Sequence, residues 1–130
     1  MNHRYRLRVY YEDTDAGGVV YHANYLSFCS RARCEWVREA GVSLAQMQAE
    51  GMLMPVVSAA LQYKAPAFLE DELLVLTRLI KVNRVSLVFL QQVTRYNTNE
   101  LLCEATIKVA CVDRDMRPQR IPQNLLKGVQ

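Results

Sequence analysis

The stretch Val9–Asn24, VYYEDTDAGGVVYHAN, decides how the rest of the chain is read. It grows out of an alternating segment, Tyr5–Tyr11 (YRLRVYY), that predicts a first strand. Two carboxylates, Asp13 and Asp15, come next, then the glycine pair Gly17-Gly18, and a long amphipathic segment starts at about Tyr21. Strand, bend and helix start thus fall within a few residues. That brings a carboxylate beside the unpaired N–H donors and the positive dipole end of a first helical turn. Such donors can hold a developing oxyanion while the carboxylate acts as base or nucleophile. The layout is that of a reactive site.

The helix that follows is expected from His22 or Asn24 to Ala40. Tyr25, Phe28, Cys29, Ala32, Trp36, Val37 and Ala40 recur at helical spacing over a face wide enough to be wrapped by other structure. Arg31, Arg33, Glu35, Arg38 and Glu39 fill the remaining face. Gly41 suits the position just past a helix end, and Ser43 can cap a short second helix, LAQMQAE, that stops at Gly51. After Pro55 the period becomes two: Val57, Ala59, Leu61 and Tyr63 alternate with polar or small residues until Pro66. Two long apolar runs, Glu72–Asn83 and Val85–Tyr96, join near Asn83-Arg84, and Asn97-Thr98-Asn99 marks the next turn. Leu101–Asp113 puts Cys103, Ala105, Ile107, Val109 and Cys111 on one face. A last helical turn is expected at Gln123–Lys127.

Long strands with short turns predict an antiparallel meander, and the whole order predicts an α+β domain spanning residues 1–130. A curved sheet around the one long helix satisfies both the wide helix face and the one-sided strands. The pattern alone does not require that wrapping. Leu73–Leu76, little protected by charge or proline, is expected at a sheet edge that pairs with a second subunit.

Composition narrows the function classes. At 130 residues, 51% hydrophobic and 22% charged, the chain has the balance of a soluble globular domain. A net charge of +3 without a Lys/Arg cluster argues against nucleic-acid binding. The first residues, MNHRYRLRVYYEDTD, lack the apolar core of a secretory signal, and no run nears the roughly 20 apolar residues of a membrane span. Cys29, Cys34, Cys103 and Cys111 lie in apolar or helical contexts without metal-type spacing, as buried reduced thiols of a cytoplasmic protein would.

The run Tyr11–Tyr25, YEDTDAGGVVYHANY, resembles the signature of hotdog-fold acyl-CoA thioesterases. It is closest to their bacterial Tol–Pal-associated branch and more distantly similar to 4-hydroxybenzoyl-CoA thioesterase. The likeness continues through Arg31-Ala32-Arg33, Glu35-Trp36, Tyr63-Lys64-Ala65-Pro66-Ala67, Ser86-Leu87-Val88-Phe89 and Cys111-Val112-Asp113. Ser30, where a glutamate is expected, and Cys34, where a threonine is more usual, depart from it.

The resemblance implies a hotdog fold, hydrolysis of acyl-CoA without metal or cofactor, and sites between the subunits of a homodimer or homotetramer. It maps the catalytic carboxylate onto Asp15, as general base or as nucleophile, and the carbonyl-polarising N–H onto the backbone of His22. The His22 side chain and the Tyr11 hydroxyl would orient substrate or water, and Gly17 and Gly18 would let the backbone approach the thioester. Coenzyme A carries phosphates, so Lys64, Arg84, Arg117 and Arg120 are candidate cations. Arg84 leads because a hydroxyl, Ser86, follows it closely.

Other readings stand beside these. Asp15 can be a loop carboxylate stabilised by the helix dipole, His22 a hydrogen-bonded structural residue, and Tyr11 a strand-end aromatic. Asp13, Asp15 and His22 can be read as metal ligands lacking a fourth. His3, in a charged terminus expected to fray, carries no role, and Trp36 belongs to the core. The chain can also be a non-catalytic hotdog protein that binds acyl carrier protein or an envelope-associated complex.

Overall fold

The computed structural model describes residues 2–126. In chain order they form β1 (Asn2–Arg8), α1 (Asn24–Glu39), α2 (Leu44–Ala49), β2 (Val56–Tyr63), β3 (Glu72–Val82), β4 (Ser86–Arg95) and β5 (Leu101–Ala110). Short 3-10 turns lie at Tyr11–Asp13 and Gln123–Leu126. The last turn expected at Gln123–Lys127 is present to Leu126, and Lys127 falls outside the described residues.

The strands form one antiparallel sheet in the order β1-β3-β4-β5-β2. The expected meander is its centre, β3-β4-β5. This order corrects the expectation for Leu73–Leu76. Those residues lie in β3, which is hydrogen-bonded to β1 on one side and β4 on the other. The open edges belong to β1 and β2. Strand β1 is drawn from the far end of the chain and covers the apolar run, a pairing that periodicity does not reveal.

The start of the chain needs a second correction. The first strand is Asn2–Arg8 rather than Tyr5–Tyr11. Its register runs from Asn2↔Arg78 to Arg8↔Glu72, with Arg4, Arg6 and Arg8 exposed and His3, Tyr5 and Leu7 half-buried. His3 is therefore not frayed, and its Nε2 lies 3.1 Å from Glu39 Oε2 at the end of α1. The strand stops early because Asp13 turns the chain, its carboxylate accepting the Tyr10 N–H at 2.9 Å.

Helix α1 packs its apolar face on one side of the sheet. Tyr25, Phe28, Cys29, Ala32, Trp36 and Val37 are buried against inward residues of β3, β4 and β5, with Trp36 and Phe89 edge to face at 5.1 Å. Arg33 is not on the solvent face where its spacing put it. Its Nη1 donates to Gln91 Oε1 at 2.9 Å, while Gln91 Nε2 donates to the Cys29 carbonyl and to Thr77 Oγ1, both at 2.9 Å. Gln91 is completely buried, so its hydrogen-bonding groups need these partners, and they fasten the middle of α1 to the sheet. Gly41 stands past the helix end at φ +85°, and Ser43 Oγ accepts the Gln46 N–H at 3.1 Å to cap α2, both as expected. All four cysteines are free, and Cys34 is only half-buried.

Candidate active site

The Asp13–Gly18 run becomes a tight hairpin between the end of β1 and the start of α1. Thr14 bridges Val20, the Asp15 N–H donates to the Val19 carbonyl at 2.9 Å, and the Gly18 N–H donates to the Asp15 carbonyl at 3.0 Å. Gly18 takes φ +82°, a conformation that only glycine adopts without strain. At Gly17 a side chain would meet an obstacle, since an added Cβ would lie 3.1 Å from Asp15 Oδ1. That closeness reflects a hydrogen bond from the Gly17 N–H to the same oxygen at 2.8 Å.

Two carboxylates two residues apart thus have different surroundings. Asp13 is 5% exposed and both its oxygens are used, Oδ2 by the Tyr10 N–H and Oδ1 by Asn24 Nδ2 at 3.0 Å. Its carbonyl also accepts the Tyr21 N–H at 2.8 Å. Asp13 therefore clamps the hairpin to the helix start. Asp15 is exposed, and among the described residues its Oδ2 has no hydrogen-bond partner. One carboxylate is fully used in holding the structure, and the other keeps an oxygen without a partner among the described residues.

The helix start is open as well. Ala23 occupies the cap position, where no side chain accepts from the first turn. The Asn24 N–H returns to the Tyr21 carbonyl at 2.9 Å, whereas the N–H groups of His22 and Ala23 have no acceptor among the described residues. Beside them lies a depression of about 350 Å³ lined by Val20, His22, Tyr25, Tyr63, Lys64, Ala65 and Pro66. Tyr63, at the end of β2, donates its hydroxyl to the His22 carbonyl at 2.8 Å and sets its ring edge-on to His22 and Tyr25. Desolvation raises the pKa of the Tyr63 phenol above its ordinary value.

The fold therefore brings Asp15, Gly17, Gly18 and His22 into one segment clamped by Asp13. Tyr11 sits in the 3-10 turn before them, 83% exposed. Arg84 and Ser86 lie elsewhere in the chain's fold, at the β3–β4 turn. Ser86 is buried, and its hydroxyl accepts Asn83 Nδ2 at 3.0 Å. Arg84 lines a separate depression of about 440 Å³ with Arg120, Asn83 and Gln123. Of the candidate cations, Lys64 is the one on the wall beside His22. Sequence reading missed Tyr63 and Asn24 as parts of the site. Tyr63 lay within a resembling motif, but nothing local ties position 63 to position 22.

Residues 9–129 match the thioesterase-like superfamily. The chain belongs to that family. An acyl-CoA thioester hydrolase, YbgC, from Escherichia coli is 43% identical over 124 residues, covering 95% of this chain and 92% of the relative. An acyl-CoA thioesterase, YbgC, from Haemophilus influenzae is 45% identical over 121 residues, covering 92% and 88%. Among solved structures, the 1,4-dihydroxy-2-naphthoyl-CoA thioesterase Slr0204 from Synechocystis superposes with a TM-score of 0.93 at 25% identity, covering 99% of this chain and 96% of that one. As expected of this thioesterase-like protein, the α+β architecture is the hotdog fold, one antiparallel sheet on one long helix. No helix among the described residues is long and apolar enough to cross a membrane.

Proposed function

We propose that this thioesterase-like chain hydrolyses acyl-CoA to the free acid and coenzyme A, with Asp15 as its reactive carboxylate. The observation that carries the reading is the exposed Asp15 carboxylate, held through one oxygen by Gly17 on the hairpin that leads into a helix start whose His22 N–H has no acceptor among the described residues. In one route Asp15 takes a proton from water, whose oxygen bonds to the acyl carbon as the C–S bond breaks. In the other Asp15 itself bonds to the acyl carbon, the C–S bond breaks to release the thiolate and leave an Asp15–acyl mixed anhydride, and water then cleaves the anhydride to free acid and carboxylate. In both, negative charge grows on the carbonyl oxygen, and the His22 N–H at the positive end of α1 stabilises it.

Gly17 and Gly18 give the thioester room. The His22 ring and the Tyr11 hydroxyl orient substrate or water. Lys64 and Arg84 serve the coenzyme A phosphates, with Arg84 reaching a neighbouring subunit's site in a cytoplasmic homodimer or homotetramer, while the buried Ser86 hydroxyl, bonded to Asn83, holds the turn that carries Arg84. Acyl carrier protein is the candidate partner of the non-catalytic alternative, whereas a place in the Tol–Pal-associated branch and the relation to 4-hydroxybenzoyl-CoA thioesterase belong to the same reading. They rest on the Tyr11–Tyr25 motif.

The test is a panel of aliphatic and aromatic acyl-CoA substrates followed with a thiol reagent, on native protein and on Asp15→Asn. The amide keeps the shape but is neither base nor nucleophile, so kcat falls by about a hundredfold or more. Near-native turnover by Asp15→Asn sinks the assignment.

A further inference from the structure

The weak point of an oxyanion site at a helix start is the first peptide, which the helix itself does not hold. In α1 the Leu26 N–H donates to the Ala23 carbonyl at 3.1 Å, so the first turn is tight and leaves the His22 carbonyl without a helical donor. Among the described residues its partner is the Tyr63 hydroxyl, 41 residues away in sequence. The His22–Ala23 peptide is planar and trans, so its carbonyl and its N–H point in opposite directions. Fixing the carbonyl on Tyr63 therefore fixes where the Ala23 N–H points. Ala23 has helical backbone angles, φ −73° and ψ −20°, which turn its N–H out of the open end of α1. A hydrogen bond accepted by an amide carbonyl also polarises the amide and strengthens its own N–H as a donor.

We propose that Tyr63 is a positioning residue, whose hydroxyl holds and polarises the His22–Ala23 peptide so that the Ala23 N–H joins the His22 N–H in stabilising the oxyanion. This rests on the thioesterase reading and extends it. Tyr63 itself touches no reacting atom. It stands on the wall of the depression with the apolar Val20, Ala65 and Pro66. Its side is half exposed, at 51%, so the hydroxyl contributes little to the core.

Tyr63→Phe removes one oxygen and leaves the ring in place. Losing one net hydrogen bond in the transition state lowers kcat by about three- to tenfold, with KM held within about twofold. The readout that a merely structural role would not move is the infrared stretch of a ¹³C-labelled thioester carbonyl in an acyl-CoA bound to Asp15→Asn protein. Binding shifts that stretch to lower frequency, and adding Tyr63→Phe takes back part of the shift. Replacing Tyr63 by 3-fluorotyrosine, a stronger donor of nearly the same shape, measured below neutral pH where it stays protonated, moves the stretch lower still. Identical stretches with and without the hydroxyl, or an unchanged kcat, overturn the proposal alone. A stretch that does not move on binding to Asp15→Asn takes down the His22 reading and this proposal together. Native turnover by Asp15→Asn removes only the Asp15 assignment.

Discussion

At the scale of single residues, the two aspartates of the hairpin make opposite predictions. Asp13 is buried with two donors on its carboxylate, so Asp13→Asn turns an amide N–H₂ toward an N–H or side-chain donor and leaves it unmatched. Such a mismatch in a buried site costs about 1–3 kcal/mol. Thermal melting of Asp13→Asn is therefore expected several degrees lower, with kcat reduced less than about tenfold because the clamp positions the site but does no chemistry. Asp15→Asn shows the reverse, a near-native melting temperature and almost no turnover. Measuring both properties on both variants decides the matter, and equal activity losses at the two positions would mean that the carboxylates act together. The same geometry bears on the metal reading. Both Asp13 oxygens are already hydrogen-bonded within the chain, which leaves Asp15 and His22 as the remaining members of that set.

At the scale of elements, α1 carries both the core and the site. Its first turn presents N–H groups that have no acceptor among the described residues, while its middle is pinned by Gln91 and packed by Phe28 and Trp36. The packing has a consequence for pH. Burial pushes the Cys29 thiol up to about 12, and Cys103 on β5 up to about 11. A group whose pKa is raised by folding holds its proton more tightly in the folded state. Its contribution is complete below the unfolded value, near 9, and is lost as pH climbs through the folded one. Melting temperature is thus expected to decline as pH rises from about 9 toward 12, and Cys29→Ala, though less stable at neutral pH, should show a flatter alkaline limb. A limb of unchanged slope in Cys29→Ala would assign the alkaline loss to other groups.

At the scale of the whole molecule, the sheet leaves two edges, and they differ. The β1 edge is charged by Arg4, Arg6 and Arg8, a common protection against pairing. The β2 edge is apolar and exposed, with Val56 at 48% and Val57 at 54%. Pairing of a second copy along β2 is the assembly this predicts, and it would bring the partner close to Tyr63 and the His22 depression. Light scattering at micromolar concentration should give a dimer or a multiple of it. Val57→Lys should shift the protein toward monomer and lower activity with it. A fully active monomer would defeat the idea. What the sequence by itself determined were the features written in local pattern: the α1 span, the Gly41 and Ser43 boundaries, the three long strands, and the DTDAGG bend next to a helix start. Helical and alternating periods depend on neighbours a few residues apart, so each segment announces itself. Tertiary structure alone decided which of Asp13 and Asp15 is used up by hydrogen bonds, that Arg33 turns inward to Gln91, that β3 is interior, and that Tyr63 reaches the His22 carbonyl. Those outcomes rest on pairings between residues as far apart as Arg33 and Gln91, or His22 and Tyr63. Distant partners are chosen by how the sheet closes on the helix, and no local period records that choice.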